Sequence, residues 1–177
     1  TLNKTQEALE NYKKAVELKP DYFEAYNNLG SVSQILGKLE EAEKHFKKAI
    51  ELKSNYAEAH FNLSNIKIYK YEDDQFNLMK NLILDEDLNK KQLYQLNFAL
   101  AKAYEDLGNY EESFVNYKKG NKLCKKIMGY NIEEDQNLFK QLEKSYLNIK
   151  KYSSRFSDLS DNPNPIFILG MPRSGTS

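Results

Sequence analysis

A repeat with a period of thirty-four residues is the feature that most limits how this chain of 177 residues can fold. The recurring positions are small or apolar: Ala8, Tyr12 and Ala15 recur as Ala42, Phe46 and Ala49, and Ala25, Asn28 and Leu29 recur as Ala59, Asn62 and Leu63. Self-similarity at this period is typical of helix-turn-helix units that stack side by side, each one burying its apolar face only against its neighbours. The sequence therefore predicts a mainly α-helical array.

The packing positions of this unit resemble those of the tetratricopeptide repeat. The family's aromatic, Leu, Gly, Ala, aromatic and Ala positions are matched by Tyr26, Leu29, Gly30, Ala42, Phe46 and Ala49. Small residues let two antiparallel helices approach closely, and the aromatic rings fill the space between successive units. A further unit fits the stretch from Leu100 to Gly120, where Leu100 follows Leu63 by 37 residues. About three residues are therefore inserted, and the loop from Asp85 to Lys90 is the predicted place.

The pattern divides the chain into four segments, of which the last is residues 166–177. Repeats occupy residues 1–128 as about three and a half units, of which the first is incomplete. The third unit is divergent, because Phe76 replaces the expected Ala and Lys80 replaces the expected aromatic residue. We expect an irregularly packed helix at that point. Gly129 ends the array, and residues 129–152 form a closing helix laid on the last repeat, with Asn131 and Glu134 as a capping box. Residues 153–165 are rich in Ser, Asp, Asn and Pro and form a linker.

Composition excludes several classes of function. The 26 basic and 26 acidic residues balance, so no overall positive charge attracts nucleic acid. The single cysteine, Cys124, excludes a disulfide framework and a cysteine-cluster metal site, and neither His45 nor His60 has a second ligand at metal-binding spacing. We expect no metal, and structural roles for both histidines. No apolar run is long enough for a membrane span, so the expected location is cytoplasmic.

Two asparagines stand at the same repeat position, Asn28 and Asn62, on the predicted concave face. A carboxamide can donate to and accept from a peptide backbone at once, so a ladder of such residues would hold an extended peptide without reading its sequence. This layout is similar to the repeats of the O-linked N-acetylglucosamine transferases. The ladder has two rungs, because Ala99 takes that position in the fourth unit. The alternative is that both asparagines are ordinary surface residues.

A different fold begins after the linker. Ile166 to Leu169 form an unbroken apolar run, which is typical of a strand buried in a parallel sheet. The loop that follows has Gly170 and Gly175 five residues apart, the frame in which backbone N–H groups surround a phosphate. The nucleotide-hydrolysing families have Lys where this chain has Thr176, so Arg173 is the one cation available in the loop.

The run IFILGMPRSGTS at residues 166–177 resembles the first strand and 5'-phosphosulfate loop of sulfotransferases that use 3'-phosphoadenosine 5'-phosphosulfate. The loop is closest to that of the tyrosylprotein sulfotransferases, and the order of segments is similar to that of bacterial sulfotransferases with tetratricopeptide repeats. The resemblance implies a truncated α/β sulfotransferase domain that binds this co-substrate without a metal. The residues that match the binding loop are Arg173, Ser174, Gly175, Thr176 and Ser177.

The same resemblance limits what this stretch can do alone. The family's catalytic base and 3'-phosphate ligands follow the loop, so we expect no catalytic residue in this chain apart from Arg173 as a stabiliser of the transition state, and we expect the stretch by itself to be inactive. Tyrosine, carbohydrate and small-molecule hydroxyl groups all stay open as the sulfate acceptor. Two other functions stay open as well, a P-loop nucleotide-binding protein and a repeat scaffold with no catalytic role.

Overall fold

The computed structural model describes residues 2–153, with side chains from Lys4 to Tyr146 and at Asn148. This part of the chain consists of eight helices and contains no strand. The helices are α1 (Leu2–Leu18), α2 (Phe23–Ile35), α3 (Leu39–Leu52), α4 (Ala57–Ile66), α5 (Asp74–Leu82), α6 (Lys90–Asp106), α7 (Tyr110–Met128) and α8 (Ile132–Ser153). The predicted helical array is confirmed, whereas the predicted strand and phosphate loop at residues 166–177 lie outside the described residues.

The first seven helices alternate between two layers. Helix α2 contacts α4, and α4 contacts α6, while α1, α3, α5 and α7 pack against these three helices. We call the first set the inner helices and the second set the outer helices.

Glycines end two of the inner helices. Gly37 follows α2 with a φ of 75°, and Gly108 follows α6 with a φ of 76°. Residues with a side chain rarely adopt this left-handed backbone, so glycine is favoured where the chain must turn into the next helix. Gly37 thus provides the turn after α2, and Gly108 provides the equivalent turn in the fourth unit.

Three separate apolar clusters hold the array together. One joins α1 to α2 around Leu9 and Leu29, and another joins α3 to α4 around Phe46 and Leu63. The third and largest joins the start of α4 and the α4–α5 connection to α5 and α6. Small residues permit the close approach, since a Cβ atom added to Gly30 would lie 2.5 Å from two ring carbons of Phe46. The predicted roles of Gly30 and Phe46 in helix packing are thereby explained.

The divergent third unit is completed by α5, which is nine residues long. Asp73 caps it by accepting a hydrogen bond of 3.0 Å from the backbone N–H of Phe76. Phe76 and Met79 are fully buried, and the Phe76 ring packs edge-on against Tyr104 of α6 at 5.1 Å between ring centroids. The helix predicted here is confirmed, and Phe76, which replaces the expected Ala, fills the core against α6.

The insertion predicted between Asp85 and Lys90 falls on the connection 83–89 and the first residue of α6. Asn89 begins α6 with a capping box, accepting from the Gln92 backbone N–H while the Gln92 side chain accepts from the backbone N–H of Asn89. The inserted residues therefore provide both a connection and a helix start.

The chain divides after Tyr130 into two compact units, of which the first holds α1 to α7 and the second holds α8. Gly129 ends α7 in the left-handed conformation, with a φ of 64°. The side chain of Asn131 then accepts from the Glu133 backbone N–H at 3.0 Å, one residue earlier than the predicted capping-box partner Glu134. A helix is confirmed in the region predicted as 129–152, and its packing on the last repeat stays a prediction. The predicted linker, 153–165, begins at the last residue of α8 and otherwise lies outside the described residues.

Candidate functional site

The predicted asparagine ladder lies on the inner helices, with Asn28 on α2 and Asn62 on α4. Both side chains are partly buried. Ala99, which takes the equivalent repeat position on α6, is 1% exposed and belongs to the largest apolar cluster. The face that these asparagines line is therefore confined to α2 and α4, and the fourth unit contributes packing at that position instead of a polar group.

The structure adds a hydrogen-bonded chain of side chains across the inner layer. Asn62 donates through Nδ2 to Asn27 Oδ1 at 2.9 Å, and Asn27 donates in turn to Glu58 Oε1 at 3.2 Å. Lys91, on α6, reaches the other carboxylate oxygen of Glu58 at 3.4 Å. We call these four residues the inner polar chain. It links α2, α4 and α6 by side chains alone.

Asn27 and Glu58 are the residues that the sequence analysis missed. Asn27 is 1% exposed, so its carboxamide is a buried structural group, although Asn28 beside it in the sequence is only partly buried. The repeat gives no signal for this role, because the residue that follows Asn27 by one period is Phe61. Only the packing of α2 against α4 brings Asn27 to Asn62 and Glu58.

Asn28 and Asn62 differ in how many hydrogen bonds their carboxamides form with other side chains. One N–H of Asn62 is committed to Asn27, while its second N–H and its oxygen lie outside that bond. The Asn28 carboxamide forms no side-chain hydrogen bond with another described residue. A peptide lying across this face would therefore meet a complete carboxamide at Asn28 and a half-used one at Asn62.

Aromatic and charged side chains surround one end of this face, near Tyr56. Burial, together with the nearby carboxylates of Glu58 and Glu24, raises the pKa of Tyr56 to about 12, so its phenol stays protonated. The Tyr56 ring packs edge-on against the Phe23 ring, with 4.9 Å between the ring centroids. The Nζ atom of Lys53 lies over the Phe23 ring, 4.4 Å from its centroid. This end of the face combines aromatic surface with both signs of charge.

The two histidines differ in burial, since His60 is fully buried on α4 and His45 is partly buried on α3. His60 is fully buried, and its Nε2–H donates to the Ser54 carbonyl at 2.8 Å while Nδ1 is buried without a partner. Burial lowers the pKa of both His60 and His45. Within residues 2–153 no group of three or more His, Cys, Asp and Glu side chains is placed to hold a metal ion. The Cys124 thiol lies 3.6 Å from Met128 Sδ, a contact within α7.

The predicted co-substrate site cannot be located in the same way. Its residues, Arg173, Ser174, Gly175, Thr176 and Ser177, lie outside the described residues. None of the helices in residues 2–153 is long and apolar enough to cross a membrane.

Family models recognise the repeat units. A model described as a TPR repeat matches residues 1–34, and two models described as tetratricopeptide repeats match residues 23–56 and 94–126. The chain contains tetratricopeptide repeats. The match at 94–126 covers α6 and most of α7, so the further unit predicted around Leu100 to Gly120 is confirmed.

Relatives of known sequence and of known structure match part of the chain. An uncharacterized protein of Aquifex aeolicus (strain VF5) is 27% identical over 111 residues, which are 62% of this chain and 14% of that protein. The chain therefore spans about one seventh of the length of that relative. The crystal structure of MamA matches with a TM-score of 0.52 and 25% identity over 71% of this chain and 72% of MamA.

A second solved structure supports the fold alone. BtubC (BKLC) from P. vanneervenii matches with a TM-score of 0.52 and 18% identity, over 73% of this chain and 60% of that chain. None of these three proteins bears a name that indicates a sulfotransferase. The resemblance of residues 166–177 to the sulfotransferases thus stays a prediction from sequence, while the tetratricopeptide resemblance is confirmed.

Proposed function

We propose that this chain is a protein-interaction module whose inner helices bind an extended peptide across α2 and α4. Tetratricopeptide repeats typically bind proteins or peptides, and the single observation that carries the more specific proposal is the pair Asn28 and Asn62. Both are partly buried, and the Asn28 carboxamide has no hydrogen-bond partner among the described residues. Such a group can hold a peptide N–H and C=O together.

The inner polar chain supports this role by fixing the geometry. Asn27 holds the Asn62 carboxamide at 2.9 Å, and Glu58 holds Asn27 in turn. A binding group whose orientation is set before the partner arrives loses less conformational entropy on binding. The chain of side chains thus positions one rung of the ladder, and we infer that the free half of Asn62 faces the peptide.

A selection from displayed random peptides, with the full chain as bait, tests this proposal. We expect selected peptides to bind the parent and to bind the Asn28→Ala variant more weakly, because that change removes a carboxamide without breaking a hydrogen bond between described residues. The Asn11→Ala variant, which alters an exposed asparagine of α1, is the matched control. Selected peptides that bind Asn28→Ala as tightly as the parent would contradict the proposed site.

We propose as a second candidate that the complete protein is a sulfotransferase that uses 3'-phosphoadenosine 5'-phosphosulfate. The observation that favours it is the sequence of the loop, in which Arg173 stands between two glycines five residues apart, after an apolar run. A planar guanidinium can hold two oxygens of a phosphate or sulfate group together. In this scheme the loop residues bind the co-substrate, the repeats present the acceptor, and no metal is needed.

Thermal stability of the intact protein with 3'-phosphoadenosine 5'-phosphate tests this second candidate. We expect the ligand to raise the melting temperature of the parent and of Arg155→Ala, which alters the chain's other arginine, but not of Arg173→Ala. Stabilisation by ATP with Mg²⁺ instead would favour a nucleotide-binding P-loop protein. No stabilisation by either ligand would leave the repeat scaffold as the function.

A further inference from the structure

A groove on the outer side of the array is separate from the face that carries Asn28 and Asn62. It has a volume of about 720 Å³ and lies between α5 and α7, with α6 as its floor. Four residues of α6 at helical spacing form that floor: Leu93, Asn97, Leu100 and Tyr104. We call this the α5–α7 groove. Its volume lies in the range of protein sites that hold ligands.

The sequence explains why the groove exists at this unit. The aromatic position of the repeat holds Tyr26 in α2 and His60 in α4, whereas Asn97 takes it in α6. The Asn97 side chain is shorter than either ring, so it leaves space that the ring fills in the earlier units. The position reserved for an aromatic side chain is thus only partly filled.

The short helix α5 opens the groove further. Its counterpart α3 has 14 residues and runs to Leu52, while α5 has nine and ends at Leu82. The next outer helix, α7, has 19 residues, and its second half extends past the point that corresponds to Leu82. The missing part of α5 would have been a helical turn against α6 and α7. Ile83 and Leu84, which directly follow the end of α5, line the groove.

The floor of the groove contains a buried acceptor without a partner. Asn97 is 4% exposed, and its Nδ2 donates to the Leu93 carbonyl at 2.7 Å, but its Oδ1 has no hydrogen bond. Buried polar atoms are nearly always paired, because an unpaired one loses its bonds to water and gains nothing in return. Asn97 Oδ1 is thus an unused acceptor on one of the residues that line the groove.

The rim of the groove is positively charged. Four lysines line it, on α5 and along α7, against one carboxylate, Glu112. The lysines are Lys80, Lys119, Lys122 and Lys126. Lys80 lies 3.7 Å from Glu72, and the other three form no ion pair within 4.0 Å with the part of the chain that the structure describes. Complementary charge favours an acidic partner.

We propose that the α5–α7 groove binds an acidic amphipathic helix of a partner protein. Leucines of that helix pack on Leu93, Leu100 and Tyr104, a side chain with an N–H or O–H donates to Asn97 Oδ1, and Glu or Asp residues on both flanks meet the lysines. The floor from Leu93 to Tyr104 comprises twelve residues of α6, whose ends are about 16 Å apart, so it accommodates about three helical turns. This second surface goes beyond the peptide site on the inner helices and does not depend on it.

A synthetic helical peptide of about five turns is the probe, long enough to cover the floor with a margin at each end. Its apolar face carries leucines and one central Gln, its other faces carry Glu, and a fluorophore at one end reports binding to the full chain by anisotropy. A second peptide has Lys in place of every Glu. We expect the acidic peptide to bind, more weakly as salt is raised, and the basic peptide not to bind. Equal binding of both peptides, or no binding of the acidic one, would overturn the proposal.

Charge reversal on α7 locates the bound peptide. The variant Lys119→Glu/Lys122→Glu changes the rim, while Lys118→Glu/Lys125→Glu changes two exposed lysines of the same helix that do not line the groove. We expect the first to weaken binding about tenfold or more and the second to change it by less than about threefold. Circular dichroism verifies that both remain helical. Equal losses in the two variants would mean that the peptide responds to net charge alone, and the site would be wrong.

The unpartnered oxygen gives an independent readout. We expect the parent to prefer the peptide with Gln on its apolar face to one with Leu at that place, and we expect Asn97→Leu to lose that preference. An unchanged preference in Asn97→Leu would show that Asn97 Oδ1 does not meet the peptide. The Asn28→Ala variant should bind the acidic peptide like the parent, and a loss there would place the peptide on the inner face instead.

Discussion

Replacing Gly30 by Ala tests the close approach of α2 and α3 that the repeat depends on. The added Cβ would lie 2.5 Å from Phe46 Cδ1, 2.5 Å from Cε1 and 2.9 Å from Cζ. Carbon atoms in protein interiors approach to about 3.5–4.0 Å, so the ring or a helix must move. Phe46 is 0% exposed and packs with Ala42 and Leu63, which leaves the ring no free direction.

Two opposing free-energy terms decide the outcome. Ala in place of Gly inside a helix usually stabilises by about 1 kcal/mol. Overpacking a filled core costs about 1–3 kcal/mol, and a contact this short at a residue this buried belongs in the upper part of that range. We therefore expect Gly30→Ala to lower the free energy of unfolding by about 1–2 kcal/mol, against the helix propensity. For a chain of this length that loss is about 2–8 °C in melting temperature.

Urea denaturation followed by far-ultraviolet circular dichroism is the assay, since the chain has no tryptophan to report by fluorescence. Gly120→Ala is the matched control, because its added Cβ lies 3.2 Å from the ring of Phe98, which is only partly buried and can yield. We expect it to be much less destabilising. The double variant Gly30→Ala/Phe46→Leu should lose less than the two single losses added together. A Gly30→Ala chain as stable as the parent would refute this account of the packing.

Three further changes probe single interactions. Burial lowers the pKa of His60, so below pH 6.5 the unfolded chain takes up a proton that the folded chain resists, and the free energy of unfolding falls by up to about 1.4 kcal/mol per pH unit. Urea titrations at a series of pH values measure this fall, and we expect it to be smaller in His60→Phe. An unchanged dependence on pH in that variant would rule out His60 as its source. For Asp73, burial opposes ionisation, but hydrogen bonds from Lys67 and the Phe76 backbone outweigh burial and lower the pKa. The stabilisation by this carboxylate is therefore present above pH 3.8 and is lost as the pH falls. We expect Asp73→Asn to lower the free energy of unfolding by about 1 kcal/mol at neutral pH and to leave it unchanged once the carboxyl is protonated. Asn97→Leu, which removes a buried acceptor without a partner, should raise the melting temperature by an amount equivalent to about 1 kcal/mol, and a lower melting temperature would show that the carboxamide is needed for folding.

The helical array was predictable because its signal is local and repeated. Small residues such as Gly30 and Ala42 pack against rings such as Phe46, and the turns after α2 and α6 use glycines, Gly37 and Gly108, that adopt a positive φ. Such requirements fall on fixed positions, so a period in the sequence becomes a period in the structure. The short α5 was less predictable, because Phe76 departs from the pattern and fills the core against Tyr104 of the following unit.

The polar features of both surfaces were harder to predict, since they depend on pairs of residues far apart in the sequence. Asn27 and Asn62 are 35 residues apart and belong to different repeat positions, yet the packing of α2 on α4 joins their carboxamides. The α5–α7 groove could be predicted only if the end of α5 were known, and the last residue of a helix is difficult to predict from sequence unless a capping residue marks it. The loop at Gly170 to Ser177 is the opposite case, a short motif that carries its chemistry in its residue types and thus supports a prediction of function.

The division of the core into three clusters determines how the array comes apart. Each cluster joins only neighbouring helices, so local opening of α1 at the end of the array leaves the larger cluster around Phe76 in place. The inner polar chain crosses these joints, from Asn27 on α2 through Glu58 to Lys91 on α6. It therefore connects α2 to α6 through α4, a distance that none of the three apolar clusters spans.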